Sequence, residues 1–179
     1  MVDSISKSYA QALMDLLKSN NISIESSIND LKEIKTIIDD KSINNFLLHP
    51  AIKTEEKEEI MKNSLKEFND TIVSFILVLL NNKRINSLGD IISSIQAIDD
   101  EEKGVLRVKI ISTSELSEGY YQKIIKVLEA NYNKKIIGNM EIDPNLLGGI
   151  KVLINGSVID DTLLNKLKSI KDTIVYGGK

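Results

Sequence analysis

From its start to about Lys103, the chain places apolar side chains three or four residues apart, the spacing of helices that are buried on one side. Short polar breaks divide this part into six segments, which predicts a bundle of six helices. Asn20-Asn21 is predicted to end the first helix and His49-Pro50 the third, because a residue before proline is disfavoured in helical backbone. Thr54 is predicted to cap the fourth. The predicted core stripe of the first helix is Ile5, Tyr9, Leu13 and Leu16.

The fifth predicted helix, from about Thr71 to Leu80, has an unusual pattern. Its sequence IVSFILVLL is apolar on every side except at Ser74. Such a helix is either central in its bundle or faces a partner, and the pattern leaves both interpretations open. Ser74, Val78 and Asn81-Asn82 share a face whose members are small or polar, which is where a partner would approach.

After Gly104 the spacing of apolar residues changes from the period of a helix to the alternation of a strand. Leu106, Val108 and Ile110 alternate with other residues as a strand requires, and Ser117 is predicted to cap a helix that runs to about Tyr132. A strand over Lys135–Asp143 and a hairpin follow. We therefore predict an α+β protein, with a helical bundle domain over residues 1–104 and a small β-α-β-β-β-α domain over residues 105–179.

The stretch Leu146–Leu167, LLGGIKVLINGSVIDDTLLNKL, contains several sequence signals for turns, strands and a helix start. Gly148 and Gly149 allow a tight turn before a strand. The Asn155-Gly156 pair is the strongest short-range hairpin signal, since both residues tolerate the positive φ of a type I′ turn. Asp160 is predicted to cap the last helix. All of these roles are structural, and none is catalytic.

Composition excludes several classes of function. The chain of 179 residues has 23 basic and 26 acidic residues, a net charge of −3 and no cysteine. The basic residues form no long cluster, so nucleic-acid binding is not predicted. A disulfide framework and a cysteine-based metal site are impossible. The N-terminus lacks the apolar region of a secretory signal, and the longest apolar run is shorter than a bilayer span, so a soluble chain without membrane insertion is expected.

Catalytic chemistry has little support in the sequence. His49 is the single histidine and stands before a proline, which favours a capping or surface role over catalysis. The pairs Asp39-Asp40, Asp99-Asp100 and Asp160-Asp161 could do acid–base work if each were buried together, but they lie at helix ends, where capping explains them. No phosphate-binding loop is present, so no nucleotide is expected. We predict no catalytic residue, no metal site and no cofactor.

Short motifs along the whole chain resemble those of one family. They are Tyr9-Ala10-Gln11-Ala12-Leu13 near the start; Phe46, Pro50, Ile52 and Lys57 in the middle; Asn82, Arg84 and Leu88 after the fifth helix; and the Gly-Gly strand, turn glycine and Val-Ile-Asp-Asp-Thr segment near the end. In this order and spacing the chain resembles the delta subunit of F-type ATP synthases, the family of the mitochondrial oligomycin-sensitivity-conferring protein.

The resemblance implies a non-catalytic stator subunit that links the catalytic head of the enzyme to its peripheral stalk. It implies that the first and fifth helices receive the N-terminal helix of an alpha subunit, with Tyr9, Ala12, Ser74 and Val78 as the binding residues. It also implies that the second domain binds the C-terminal ends of the b subunits. The chain would then be a peripheral membrane protein on the cytoplasmic face of a bacterial plasma membrane, held there through the complex.

Two other functions remain open at this point. One is an unrelated helical adaptor or regulatory protein with a small ligand-binding α+β domain, which a stable complex with ATP synthase subunits would argue against. The other is an enzyme that uses the paired carboxylates, which would need a pocket that raises the pKa of a carboxyl group.

Overall fold

The chain divides into two compact units, Met1–Asp99 and Asp100–Lys179. The structure is a computed structural model, and it describes residues 4–144, 146, 150–154 and 157–158. Helices fill the first unit, and the second combines a sheet with a helix. The predicted α+β class with a helical N-terminal half is therefore confirmed.

The first unit is helical throughout its described part. Its helices are α1 (Ser4–Ser19), α2 (Ile24–Asp39), α3 (Lys41–Leu48), α4 (Thr54–Ser64), α5 (Asp70–Asn81) and α6 (Leu88–Glu102), with a 3-10 turn at Ile85–Ser87. As predicted, α1 ends before Asn20-Asn21, and Asn21 has a positive φ of 54°. As predicted too, α3 ends just before His49-Pro50.

One core fills the first unit, and its largest fully buried side chains come from α1, α2, α5, α6 and the link after α4. They are Leu13, Met14, Leu17, Leu31, Ile34, Leu65, Ile72, Ile76, Leu79, Leu88, Ile91 and Ile95. Burying an aliphatic side chain of this size contributes roughly 1.5–3 kcal/mol relative to leaving it in water. This core therefore supplies the main stabilisation of the unit.

The predicted core stripe of α1 is wrong at two positions. Ile5 is 38% exposed and Leu16 is 50% exposed. The buried positions are Ser6, Ala10, Leu13, Met14 and Leu17. The helix has two apolar stripes at helical spacing, and spacing alone cannot say which one faces the core. The stripe that contains the neighbouring pair Leu13 and Met14 is broader and is the one that packs.

Side chains cap the starts of α2, α3 and α5, whereas the predicted caps Thr54 and Ser117 make no such bond, although Ser117 does occupy the capping position of the helix Glu118–Tyr132. Thr54 is the first helical residue of α4, and the capping position belongs to Lys53, whose side chain makes no capping bond. Asp40 Oδ1 accepts the backbone N–H groups of Ser42 at 2.9 Å and Ile43 at 3.3 Å at the start of α3. The capping role predicted for one acid of the Asp39-Asp40 pair is thus confirmed.

The second unit contains β1 (Val105–Ser112), α7 (Glu118–Tyr132), β2 (Lys135–Ile142), β3 (Ile150–Ile154) and β4 (Ser157–Val158). The strand order is β2-β1-β3-β4. β1 and β2 are parallel neighbours, and α7 connects them along the chain. On its other side β1 pairs with β3 in the antiparallel orientation. The predicted last helix lies outside the described residues.

The helix α7 packs on one face of the sheet. Among the residues that the structure describes, the buried core of this unit consists of Val108, Ile110, Ile124, Ile125, Leu128, Ile136 and Val152. At Gly138 of β2, an added Cβ would lie 2.7 Å from Tyr121 Oη and 3.0 Å from Ile125 Cδ1. The Tyr121 hydroxyl donates to the Gly138 carbonyl at 3.0 Å. A glycine at this position therefore lets α7 approach the sheet closely.

The strands β3 and β4 pair in the register expected for a hairpin with a two-residue loop. Ile154 lies opposite Ser157, which leaves two residues between the strands. This register matches the predicted connection. The turn residue Gly156 itself, the predicted turn glycines Gly148 and Gly149 and the predicted cap Asp160 lie outside the described residues.

A fragment of residues 1–103 is expected to fold alone as a helical monomer, because the core of the first unit draws only on residues of that unit. The fragment keeps α6 whole, since that helix ends at Glu102. Circular dichroism and a thermal melt check this: a helical spectrum and one cooperative transition are expected. An unfolded fragment would show that the helical part depends on the residues that follow it.

Candidate functional site

The helix α1 presents a second apolar stripe to solvent. Its members are Ile5, Tyr9, Ala12 and Leu16, with Ala12 exposed and Tyr9 half-buried. At about 100° per residue, this stripe lies roughly 110° around the helix from the centre of the buried stripe. Apolar side chains at spacings of four, three and four residues in solvent form a continuous surface that another helix can cover.

The helix α5 also has a solvent-facing side, so the interpretation of α5 as a helix buried all round is wrong. Its buried residues are Ile72, Phe75, Ile76, Leu79 and Leu80. Ser74 is exposed, and Val78 is 46% exposed. The exposed side continues through Asn81 and Asn82 at the end of the helix, in agreement with the predicted shared face.

Tyr9 joins α1 to α5. Its ring stands edge-on to Phe75, with ring centroids 6.3 Å apart and planes at 73°. Its hydroxyl accepts a hydrogen bond from Asn82 Nδ2 at 3.0 Å. The ring thus packs against the buried side chain of Phe75, and its hydroxyl is bonded by Asn82, the cap residue that follows α5.

These observations outline a candidate binding surface, named the interaction face below, formed by Ile5, Tyr9, Ala12, Leu16, Ser74, Val78 and Asn82. The four residues predicted to bind a partner are all at least partly accessible, on two helices that Tyr9 joins. Sequence reasoning missed Ile5 and Leu16, which it assigned to the core. Two apolar stripes on α1, where packing in the core needs only one, are the sequence signal that could have identified these residues.

The interaction face has the composition of a surface for a protein helix. It carries aliphatic, aromatic and small side chains, with hydroxyl and amide groups as its polar atoms. Within the described residues, no group of three or more His, Asp or Glu side chains could hold a metal ion. No helix among the described residues is both long enough and apolar enough to cross a membrane.

His49 and Lys57 form a structural turn between α3 and α4. The His49 ring accepts the Ala51 N–H at Nδ1, 3.3 Å away, and its carbonyl accepts from Lys57 Nζ at 2.8 Å. Lys57 is buried, with 9% of its surface exposed. His49 occupies the C-cap position of α3 and is exposed, which agrees with the predicted capping or surface role, and Lys57 satisfies a carbonyl at the end of α3.

Two further titratable groups, Asp100 and Tyr120, also have structural surroundings, and Asp100 lies inside α6 and pairs with a strand residue rather than capping a helix. Asp100 accepts a hydrogen bond from Arg107 Nε at 2.7 Å. Burial raises the pKa of the Tyr120 hydroxyl above its ordinary value, and this side chain packs against the core of the second unit. The pair Asp160-Asp161 lies outside the described residues.

Comparison with known proteins identifies relatives over nearly the whole chain. The chain is 34% identical over 173 residues to the ATP synthase subunit delta of Clostridium botulinum (strain Loch Maree / Type A3), which covers 96% of each chain. It is 27% identical over 177 residues to the ATP synthase subunit delta of Clostridium beijerinckii, covering 98% of each.

A solved structure shares the fold. A chain of the cryo-EM structure of the Toxoplasma gondii mitochondrial ATP synthase hexamer aligns with a TM-score of 0.66 and 17% sequence identity, covering 97% of this chain and 98% of that one. At this level of identity the likeness concerns the fold alone.

The model of the family described as ATP synthase delta (OSCP) subunit matches residues 5–174. This match and the Clostridium relatives remove both the unrelated adaptor and the enzyme as alternatives. The chain belongs to the ATP synthase delta (OSCP) subunit family, and it is a non-catalytic stator subunit of the peripheral stalk of an F-type ATP synthase.

Proposed function

We propose that the interaction face binds the N-terminal helix of an alpha subunit, and that the chain thereby attaches the catalytic head of the enzyme to its stalk. The observation that carries the proposal is the exposed apolar stripe of α1 beside the exposed side of α5, joined by the contacts of Tyr9. An amphipathic helix laid along such a surface buries its own apolar side against these residues.

The small residues of the face support a helical partner. Ala12 and Ser74 have short side chains, so the backbone of an incoming helix can approach them closely. Ile5, Leu16 and Val78 supply the larger apolar surfaces. Covering a half-exposed aliphatic side chain contributes roughly 1 kcal/mol, so three of them supply an appreciable part of the binding free energy of a peptide helix.

We propose that the second domain, residues 105–179, binds the C-terminal ends of the b subunits, while residues 1–104 hold the alpha subunit. The separate cores of the two units support this division. Rotation of the central part of the enzyme exerts torque on the head, and a stator needs one attachment to the head and another to the stalk. In a bacterial cell the chain would work as a peripheral protein on the cytoplasmic face of the plasma membrane.

A synthetic peptide with the N-terminal sequence of the alpha subunit from the same organism is expected to bind the full chain with one-to-one stoichiometry. Isothermal titration calorimetry measures this, and a scrambled peptide of equal composition is the control. The scrambled peptide loses the apolar stripe and should give no saturable binding. Equal binding of both peptides, or of neither, would contradict the proposed function.

A further inference from the structure

The strand β2 lies at one edge of the sheet, and no strand among the described residues pairs with its outer side. It runs beside β1 in regular register over its whole length, without a proline. Ile137, Met140 and Ile142 on this strand are 38%, 39% and 45% exposed. A long, regular edge strand with exposed apolar side chains can pair with a strand of another molecule, and natural proteins usually block such an edge.

Backbone hydrogen bonds show which groups of β2 point outward. The Lys135 N–H donates to the Gly104 carbonyl at 3.1 Å, on the side of β1. At the other end of the strand, the Asp143 N–H donates to the Ser112 carbonyl of β1 at 2.8 Å. Successive backbone groups of a strand point to opposite sides, so the even-numbered residues direct their N–H and C=O groups away from β1. These residues are Ile136, Gly138, Met140 and Ile142.

Two side chains of α7 bind backbone groups on this outer edge. Glu129 Oε1 accepts the Ile136 N–H at 3.3 Å. The Tyr121 hydroxyl donates to the Gly138 carbonyl at 3.0 Å. Both side chains are half-buried and lie about two turns apart on the helix. They occupy a donor and an acceptor that a pairing strand would need, and we name Tyr121 and Glu129 the edge-blocking pair.

The sequence of β2 is self-complementary about Gly138. When two copies of β2 lie antiparallel with their Gly138 residues opposite each other, Lys135 lies opposite Glu141 of the second copy. The other opposed pairs are Ile136 with Met140 and Ile137 with Asn139. Opposite charges on directly opposed residues attract, and the symmetric arrangement contains the Lys–Glu contact twice. Glu141 also pairs with Lys109 of its own chain at 2.5 Å, and its carboxylate has a second oxygen for Lys135.

We propose that the edge-blocking pair prevents β2 from pairing with a second copy of the chain, and that the chain forms a two-fold dimer through this edge once the pair is removed. In the natural chain, strand pairing must first displace the Tyr121 hydroxyl and the Glu129 carboxylate from the backbone. Without these side chains, the Ile136 N–H and the Gly138 C=O lose their partners, and backbone groups of a second β2 replace them. The natural chain is therefore a monomer with a closed sheet edge.

The experiment compares the full natural chain with Tyr121→Phe, Glu129→Ala and the double variant. Sedimentation velocity over about a hundredfold range of chain concentration measures dimer formation. Each single variant is expected to associate at least about fivefold more strongly than the natural chain, and the double variant at least about 30-fold more strongly. Far-UV circular dichroism verifies the fold of every variant. The single variants carry the test if the double variant does not fold.

Glu129→Gln is the matched control, because its amide oxygen can still accept the Ile136 N–H. This variant is expected to sediment as the natural chain does. Two further changes, made in the double variant, test the register of the dimer. Glu141→Lys places like charges opposite each other and should weaken the dimer at least about tenfold. Adding Lys135→Glu to it restores opposite charges and should restore the dimer.

Monomeric behaviour of the folded variants that lack one or both blocking groups would overturn the proposal. A natural chain that dimerises as tightly as the double variant would do so too, since the pair would then block nothing. Equal association of Glu129→Gln and Glu129→Ala would show that the hydrogen bond to the Ile136 N–H does not close the edge. A dimer that is indifferent to both charge changes would assign the contact to another surface, which also contradicts the proposal.

Discussion

An Ala12→Asp variant is expected to melt like the natural chain and to bind the alpha-subunit N-terminal peptide at least about 100-fold more weakly. Ala12 is exposed on α1, so the new carboxylate stays hydrated in the free protein. In the complex, the docked helix would cover this charge with apolar surface, and the unpaired charge would lose its water. Thermal denaturation and peptide titration measure the two effects separately.

The neighbouring residue provides the control. Leu13 is fully buried in the core, so Leu13→Asp is expected to unfold the first unit. An ionised carboxylate without a partner in a close-packed interior costs several kcal/mol, comparable with the whole stability of a small domain. If Ala12→Asp unfolds the chain as Leu13→Asp does, or binds the peptide with natural affinity, the interaction face is wrongly placed.

A Gly138→Val variant is expected to destabilise the second unit by about 2–3 kcal/mol. Its Cβ would lie 2.7 Å from Tyr121 Oη, 3.0 Å from Ile125 Cδ1 and 3.3 Å from Ile110 Cδ1. Moving the Tyr121 ring away breaks the hydrogen bond that its hydroxyl donates to the Gly138 carbonyl. Denaturant unfolding, followed by the absorbance of tyrosine, measures the change.

Gly119→Ala is the matched control for this variant. Gly119 lies in the first turn of α7, and a Cβ added there meets nothing within 4 Å. The substitution should be neutral or stabilising by up to about 1 kcal/mol, because alanine is the better helix former. A Gly138→Val chain with the unfolding midpoint of the natural protein would show that α7 does not press on β2 at this point.

The ends of helices could be predicted from the sequence where a single residue property determines them. Proline after His49 ends α3, and the asparagines after Ser19 end α1. The buried side of a helix is harder to predict when the helix has two apolar stripes. The assignment of Ile5 and Leu16 to the core was wrong for that reason. Thr54 failed as a cap because capping depends on the backbone conformation of one residue, and residue type indicates this only weakly.

The residues of the candidate site were partly predictable, but their arrangement was not. The resemblance to the family, together with the all-apolar sequence of α5, pointed to Tyr9, Ala12, Ser74 and Val78. The hydrogen bond from Asn82 to Tyr9 spans 73 positions of the chain. Local patterns do not indicate such a pair, because it depends on how two distant helices pack.

The long sequence separation between Tyr9 and Asn82 also determines when this surface can form during synthesis of the chain. During synthesis α1 leaves the ribosome well before Asn82 is made, and a helix of 16 residues is marginal in water by itself. The composite surface arises only when the bundle has closed around the core, with Phe75 in place beneath Tyr9. An unfinished or misfolded chain has no such surface to offer, so under the proposed function it would not bind the alpha subunit. Folding would then have to precede assembly of the complex.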